Sequence, residues 1–414
     1  MASITPRSGG FDVRVALFVL AIASIPVWPA FISFAALTPP GVSLIPLPLA
    51  AVDLLLCAIA AAVAVCLLWR ERAGASALLM PSLLYLATWI LAALLGFDPL
   101  TGLLMAIAPA LGIVFAASIA AWYARPGAAL ATYVTLLVTG TLVCVLGIVL
   151  DALHRPAALY ALVHGRATAT FVVPGEFAGY LLLLIAAAAG VALVTRSVRL
   201  RVLAIVTLTV ALAALFLTYS RAGWLGAAVG GALFCYAMLV PPGSGRRRAA
   251  LTGLGLGTAL VVGIACIAVY EGHHNPSEDF ARLSIWQAGI AAITLFPLTG
   301  VGPGAFRHVY PLLRPLSGEP FAFHVHNLLL TAFAETGAVG VAALLFLWWG
   351  FARALRTALR GALPAQRTFA LALACGLVAT WAQGTLDFVQ IIVLGCWLPF
   401  MGLTLAAARS GLPE

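Results

Sequence analysis

Long apolar stretches separated by short polar connectors dominate this chain. About twelve of these stretches approach the roughly 20 residues that a helix needs to cross the hydrocarbon core of a bilayer. They lie near residues 15–36, 48–69, 76–96, 103–123, 130–150, 176–195, 201–218, 223–240, 250–270, 326–350, 366–386 and 388–408. The pattern predicts an all-α, polytopic integral membrane protein with about twelve transmembrane helices. We expect residues 1–414 to form a single membrane domain.

One connector, at residues 271–325, is much longer than a simple link between two helices. Its segment RLSIWQAGIAAITLF begins at Arg282 and has the periodicity of an amphipathic helix, which can lie at a membrane surface. The apolar positions near one face are Leu283, Trp286, Ile290 and Leu295. The next segment, PLTGVGPGAF, predicts a glycine-rich turn that lets backbone pack closely. Because polar side chains gather here, we expect this loop to carry part of a functional site.

Composition and charge agree with a membrane protein and predict its orientation. The chain is 64% hydrophobic and 8% charged, with a mean hydropathy of +1.12, which excludes an ordinary soluble domain. All 22 basic residues are arginine. Most lie at the ends of the chain or in alternate connectors, which the positive-inside rule places in the cytoplasm together with both termini. The net charge of +9 therefore reports topology and contact with anionic lipid heads, and does not indicate a nucleic-acid partner.

A minority of the arginines, and all of the histidines, fall on the opposite side, where the positive-inside rule gives no reason for basic residues. The arginines are Arg155, Arg166, Arg221, Arg282, Arg307 and Arg314, and the histidines are His154, His164, His273, His274, His308, His324 and His326. Their concentration on the outer side predicts that the chemistry of the protein takes place there.

The sequence HVHN, at His324 to Asn327, immediately precedes an apolar run. Asn327 is a favourable N-cap for the helix that this run predicts, which places His326 at the N-terminal edge. A histidine titrates near neutral pH, and the positive end of the helix dipole favours the neutral imidazole that a general base requires.

Two other interpretations of the histidines remain at this point. They could orient the loop at the membrane interface without taking part in chemistry. They could also share a metal ion with His273 and His274, although no carboxylate stands at a familiar metal-ligand spacing. We expect neither a metal nor a cofactor.

Three of the outer arginines could form a cationic cradle. Arg221 stands at the junction of two apolar runs, Arg282 opens the amphipathic helix, and Arg166 lies in the earlier outer loop. Guanidinium groups match phosphate oxygens bidentately, so a diphosphate at the outer membrane surface is the ligand that this set suits. Asp387, at the outer end of a predicted span, could pair with an arginine or orient a histidine.

Each arginine also has a simpler interpretation. Arg221 could extend towards lipid phosphates. Arg282 could form a local pair with Glu278 or Asp279.

Four sequence elements together resemble the O-antigen ligase and O-antigen polymerase superfamily of bacterial inner membranes. In chain order they are GRATATFVVPGEFAGYL, SRAGWLG, RLSIWQAG with PLTGVGPGAF, and HVHNLLLTAFAETGAVG. The first has Val-Pro-Gly where many members have Asn-Pro-Asn. The size of the chain and its short outer segments look most like the ligase that acts on lipid A-core.

The resemblance implies a multi-pass inner-membrane glycosyltransferase of the GT-C type with a periplasmic active site. It would transfer O-antigen from undecaprenyl diphosphate to lipid A-core, with inversion and without a metal. By motif position, the essential histidine of the family falls on His326 and its essential arginines fall on Arg221 and Arg282. Since His324 is also present, the choice between the two histidines stays open.

Two alternatives differ in what the protein does with a lipid-linked sugar. A polymerase of the same superfamily would use similar motifs to extend another lipid-linked chain. A flippase or transporter is less favoured, because such proteins usually place ionisable groups or broken helices near the membrane midplane.

Overall fold

The computed structural model describes residues 77–123, 127–155, 163–171, 173–239, 276–387 and 397–410, with a few isolated residues between them. The regular elements in these ranges are all helices. They are α1 (Leu79–Leu95), α2 (Pro99–Trp122), α3 (Ala128–Ala152), α4 (Pro174–Val194), α5 (Val198–Leu217), α6 (Arg221–Leu239), α7 (Pro276–Leu295), α8 (Phe306–Leu313), α9 (Leu328–Arg360), α10 (Pro364–Gly384) and α11 (Trp397–Ser410).

Five of the described helices are long and apolar enough to cross a membrane. They are α2, over Pro99–Ile119, and α3, α4, α5 and α9 over their full lengths; α1 and the Phe280–Leu295 part of α7 are shorter apolar helices. The architecture is that of an all-helical membrane protein. The predicted spans near 15–36, 48–69 and 250–270 lie outside the described residues, as does the start of the span near 388–408.

Helix α4 forms the centre of the bundle. Its residues 176–184 are buried without a break, as expected for a helix surrounded on all sides by others. It packs against α5 and α10, and α10 packs in turn against α6 and α11. Small residues allow this close approach: Gly190 of α4 lies against the ring of Phe369, and Gly376 of α10 lies against Ala186.

Helix α9 is longer than the sequence predicts and is kinked. The predicted span near 326–350 becomes a helix over Leu328–Arg360, with non-helical backbone at Gly337, whose φ is 65°. At the kink the α7–α8 connector packs directly against the helix backbone. The Val301 amide donates to Ala334 O at 2.8 Å, and the Ala338 amide donates to Pro297 O at 2.8 Å. The glycine-rich turn therefore serves close backbone packing, as predicted.

One end of the bundle gathers the termini of several helices. The Gln383 Nε2 of α10 donates to Gly175 O in the first turn of α4 at 2.7 Å. Gly226 of α6 lies against the same glutamine. The Asn327 Nδ2 at the start of α9 donates to Thr385 O at 2.9 Å. The N-termini of α4, α6 and α9 thus meet the C-terminus of α10, and the predicted site residues lie at this end.

Candidate active site

Asn327 caps α9 and fixes the position of the histidines before it. Its Oδ1 accepts a hydrogen bond from the Leu330 amide at 3.0 Å, so the predicted N-cap is present. His326, one residue earlier, has a φ of 52°, a left-handed conformation that is uncommon for a residue with a side chain. Such backbone strain persists only where the surroundings hold it, and it is concentrated at functional sites.

His326 forms a pair with Asp387. The His326 Nδ1 lies 3.2 Å from Asp387 Oδ1, and both side chains are partly exposed, at 33% and 20%. Burial raises the pKa of the Asp387 carboxyl, but the hydrogen bond from His326 and the electrostatic influence of His326, Arg282 and His324 outweigh it and lower the pKa to about 2. An ionised Asp387 accepts the proton on Nδ1, so the Nε2 of a neutral His326 is left as an acceptor.

His324 lies beside His326 but in a different electrostatic setting. The ring centroids are 4.3 Å apart. The His324 Nδ1 accepts the backbone N–H of His326 at 3.3 Å. Burial lowers the pKa of His324 well below its usual range, the charge of His326 lowers it further, Asp387 raises it, and Arg282 lowers it. This histidine is therefore neutral and supports the backbone that carries His326.

Arg221 is the first residue of α6, and its position follows from the sequence SRAGW. The Ser220 Oγ accepts from the Gly223 amide at 3.0 Å and so caps the helix. The Trp224 Nε1 donates to Leu215 O at 3.1 Å, which ties α6 to the end of α5. An arginine opposes the dipole at a helix N-terminus, whereas an anion is favoured there.

Arg282 does not open its helix as predicted, because α7 begins at Pro276 and Arg282 lies in its second turn. Helix α7 packs against α9. The Gly289 of α7 lies against Val325, between the two histidines. The charge of Arg282 acts on both His324 and Asp387, so the guanidinium is electrostatically part of the site. Glu278 and Asp279, its predicted local partners, have no described side chains.

Arg166 is tied to the same region by its loop. The Ala167 amide donates to Leu217 O at 3.0 Å, which places the loop beside the turn that leads to Arg221. The Arg166 Nε donates to Val163 O at 2.9 Å, leaving the terminal nitrogens of the guanidinium as further donors.

Positive groups are present at this end of the bundle. The N-termini of α4, α6 and α9 each carry a partial positive charge, Arg221 begins α6, and the charge of Arg282 acts on Asp387. The acidic partner Asp387 is engaged by His326. A phosphate-bearing ligand is the kind of group that such an arrangement binds.

The structure also brings in a glycine that was not predicted to be in the site. Gly175, in the first turn of α4, lies against the Asp387 Oδ2. The next residue, Glu176, is 4% exposed, and its Oε2 has no hydrogen-bond partner in the described part of the chain. The adjacent Val-Pro-Gly was visible in the sequence, but its contact with Asp387 spans more than 200 residues and leaves no local signal.

A second polar cluster lies apart from the histidine pair. Asp98 caps α2 and accepts from Arg307 at 3.4 Å, and its Oδ2 lies 3.1 Å from His308 Nε2. Burial raises the pKa of Asp98, but hydrogen bonds from Thr101, His308 and Arg307 outweigh it and lower the pKa to about 2. Arg307, which the charge pattern predicts on the outer side, is therefore paired with a carboxylate that fixes α8 to the start of α2.

A metal site is not formed by the described residues: among them, no three histidine, cysteine, aspartate or glutamate side chains are grouped so as to hold an ion. His273 and His274, which the metal interpretation would recruit, lie outside the described residues.

The helices and the polar end together define a membrane-embedded protein with a cationic, histidine-bearing site at one end of its bundle. Residues 205–345, which include α6, α7, α8 and both histidines, match the family model described as O-antigen ligase. This region of the chain is thus similar to the O-antigen ligase family, in line with the resemblance of its sequence elements. No curated protein sequence matches it.

Proposed function

We propose that this protein is an O-antigen ligase, which transfers O-antigen polysaccharide from undecaprenyl diphosphate to lipid A-core oligosaccharide. The observation that carries the proposal is the His326–Asp387 pair at 3.2 Å, set among three helix N-termini and within the field of Arg282. The pair supplies a general base, and its surroundings supply a site for an anionic leaving group.

In this mechanism His326 acts on the acceptor. Its Nδ1–H donates to Asp387, and its Nε2 takes the proton from a sugar hydroxyl of lipid A-core as that oxygen attacks the anomeric carbon of the donor. The new glycosidic bond forms as the bond from that carbon to the diphosphate oxygen breaks, so the configuration inverts. The proton remains on His326, and Asp387 stabilises the imidazolium that results.

The arginines act on the donor. We assign Arg221 and Arg282 to the two phosphates, with Arg166 at the edge of the same site. Positive charge fixed around the diphosphate stabilises the charge that develops as it leaves. Because a diphosphate leaves without protonation, the mechanism needs no general acid, and we propose that it needs neither a metal nor a cofactor.

The proposed setting follows the sidedness of the charges. We place both termini in the cytoplasm, about twelve helices across the inner membrane in a GT-C-type arrangement, and the site at the periplasmic face. The loop at 271–325 then carries Arg282 and His324 from the periplasmic side. The remainder of the chain forms one membrane domain around it.

The test is a transfer assay with purified protein in lipid vesicles. Given lipid-linked O-antigen and lipid A-core, the protein should produce lipid A-core that carries O-antigen, and the rate should be unchanged by a chelator. Given the lipid-linked donor alone, it should not extend the lipid-linked chains. Extension of the donor without ligation would identify a polymerase, and movement of the donor across the vesicle without either product would identify a transporter.

A further inference from the structure

The first turn of α4 packs against one oxygen of the Asp387 carboxylate, and His326 lies at the other oxygen. It contains Pro174, Gly175 and Glu176, within the Val-Pro-Gly element that the proposed mechanism does not use. The Asp387 Oδ1 faces His326, and the Oδ2 faces the α-carbon of Gly175. The carboxylate is thus enclosed between the imidazole and the helix turn.

The space for this carboxylate exists because residue 175 has no side chain. A β-carbon built on Gly175 would overlap the Asp387 Oδ2, and the other atom it would meet within 4 Å is the Cγ of the same carboxylate, at 3.4 Å. Gly175 is not among the residues with positive φ. An alanine would therefore fit the backbone at this position, and among the described residues it would conflict only with Asp387.

The turn itself is held in place, so the carboxylate would have to move. The Gly175 carbonyl accepts the hydrogen bond from Gln383 of α10 at 2.7 Å. Glu176 is buried, and a buried carboxyl within an apolar bundle is costly and is usually retained for a function. Asp387 lies at the end of α10, three residues beyond its last helical residue Gly384.

We propose that Gly175 is a positioning residue for the reaction: its missing side chain sets the position from which Asp387 orients the catalytic His326. The proposal rests on the proposed function for the catalytic role of His326. The contact of Gly175 with Asp387 can be tested without that function. In this proposal, the Val-Pro-Gly element of the chain positions the catalytic pair of His326 and Asp387.

A double-mutant cycle tests the proposal. Gly175→Ala should lower kcat by roughly 10- to 100-fold, the range seen when the partner that orients a metal-bound histidine is lost. The KM for the lipid-linked donor should stay within about twofold, because the diphosphate contacts are not altered. Asp387→Ala should have a similar effect, and adding Gly175→Ala to Asp387→Ala should lower kcat no further. Additive losses would contradict the proposal.

Two matched glycines control for packing. Gly190→Ala, in the same helix, would place a β-carbon 2.6 Å from the Phe369 ring of α10, away from the site. It should lower thermal stability while leaving kcat per folded molecule unchanged. Gly231→Ala, whose β-carbon would meet nothing within 4 Å, should change neither. If Gly175→Ala alone gave little folded protein, Asp387→Ala should restore it, and failure to restore it would also contradict the proposal.

A chemical readout separates this proposal from the enzymatic assignment. Diethyl pyrocarbonate modifies accessible imidazole nitrogens, and mass spectrometry can follow His326 with the exposed His164 as an internal reference. Both Gly175→Ala and Asp387→Ala should change the rate at His326 severalfold, in the same direction, with no change at His164. If these rates shift together while the protein transfers no sugar, the positioning holds and the proposed function fails. An unchanged rate in Gly175→Ala contradicts the positioning.

Discussion

At the scale of single residues, the site depends on conformations and charges that are unfavourable by themselves. His326 has a φ of 52°, and Tyr219, two residues before Arg221, has a φ of 47°. Non-glycine residues in this region cost on the order of 1–3 kcal/mol, which the surrounding structure must offset. Helix caps offset this cost. Asn327 caps α9 directly after His326, and Ser220 caps α6 directly after Tyr219.

Arg282 gives a prediction at this scale. Replacing it with glutamine removes a charge-assisted contact to the donor, so kcat/KM for the lipid-linked donor should fall by roughly 10- to 100-fold, the range expected when a hydrogen bond to a charged group is lost. Arg282→Lys should retain part of the activity, because an ammonium keeps the charge without the bidentate geometry. Steady-state kinetics with varied donor would measure both.

Arg314 provides a matched control on the same predicted side. Its guanidinium donates to Gly318 O at 2.8 Å, within its own loop. Arg314→Gln should leave kcat/KM for the donor nearly unchanged. Equal losses for Arg282→Gln and Arg314→Gln would mean that general outer-side charge, and not a diphosphate contact, explains the effect.

The sequence predicts single residues well only where the reason is local. Asn327 was predicted as a cap because it directly precedes an apolar run, and the cap is present. The distinction between His324 and His326 depends on which imidazole meets Asp387, a residue 61 positions further along the chain. Gly175 and Asp387 are even further apart along the chain, so no spacing in the sequence could reveal their contact.

At the scale of elements, the kink of α9 couples the loop at 271–325 to the bundle. Gly337 has a φ of 65°, and a β-carbon there would overlap the Leu298 backbone. Gly337→Ala should therefore lower the apparent melting temperature by several degrees, through the left-handed backbone and the overlap together. Thermal unfolding in detergent, followed by tryptophan fluorescence, would measure it.

Gly361 is the comparison for that prediction. It follows the last residue of the same helix, has a φ of −101°, and has open space where a β-carbon would stand. Gly361→Ala should leave the melting temperature within about one degree of the wild type. A similar fall for both variants would show that the backbone contact at the kink is not the cause.

Helix boundaries show what hydropathy cannot determine. The predicted span near 326–350 ends where arginines begin, but α9 continues to Arg360. A helix keeps its backbone hydrogen bonds after it leaves an apolar environment, so apolar composition marks only part of its length. The helix α7 is predicted by its periodicity, but its buried face is not. Leu283, Ile290 and Leu295 of the predicted apolar face are exposed, and Ile285, Ala288 and Ala292 form the buried face instead. An apolar face can meet lipid as well as protein, so periodicity alone does not identify the buried one.

At the scale of the whole molecule, the N-termini of α4, α6 and α9 lie at the end of the bundle that carries His326 and Asp387. The alternation of charges between connectors predicts that basic groups gather on one side, but it does not predict which helices meet. The neighbours of α4 are set by packing of small residues such as Gly376 and Gly226 with distant helices, which a linear pattern does not encode.

The proposed orientation makes a direct prediction. Leu316 is fully exposed in the loop before His324, and Leu363 is exposed in the turn between α9 and α10. In intact inner-membrane spheroplasts, a membrane-impermeant maleimide should label Leu316→Cys and not Leu363→Cys, after subtraction of the labelling of the wild-type cysteines. Both cysteines should be labelled once the membrane is opened. The reverse pattern in intact spheroplasts would place the site in the cytoplasm.

The central claim is that His326, oriented by Asp387, removes the proton from the acceptor hydroxyl. The most direct measurement is the single-turnover rate of O-antigen transfer to lipid A-core by correctly inserted His326→Ala protein. The account predicts a fall of about 10²- to 10⁴-fold, the usual contribution of a general base, with donor binding retained. Transfer at the wild-type rate would contradict it.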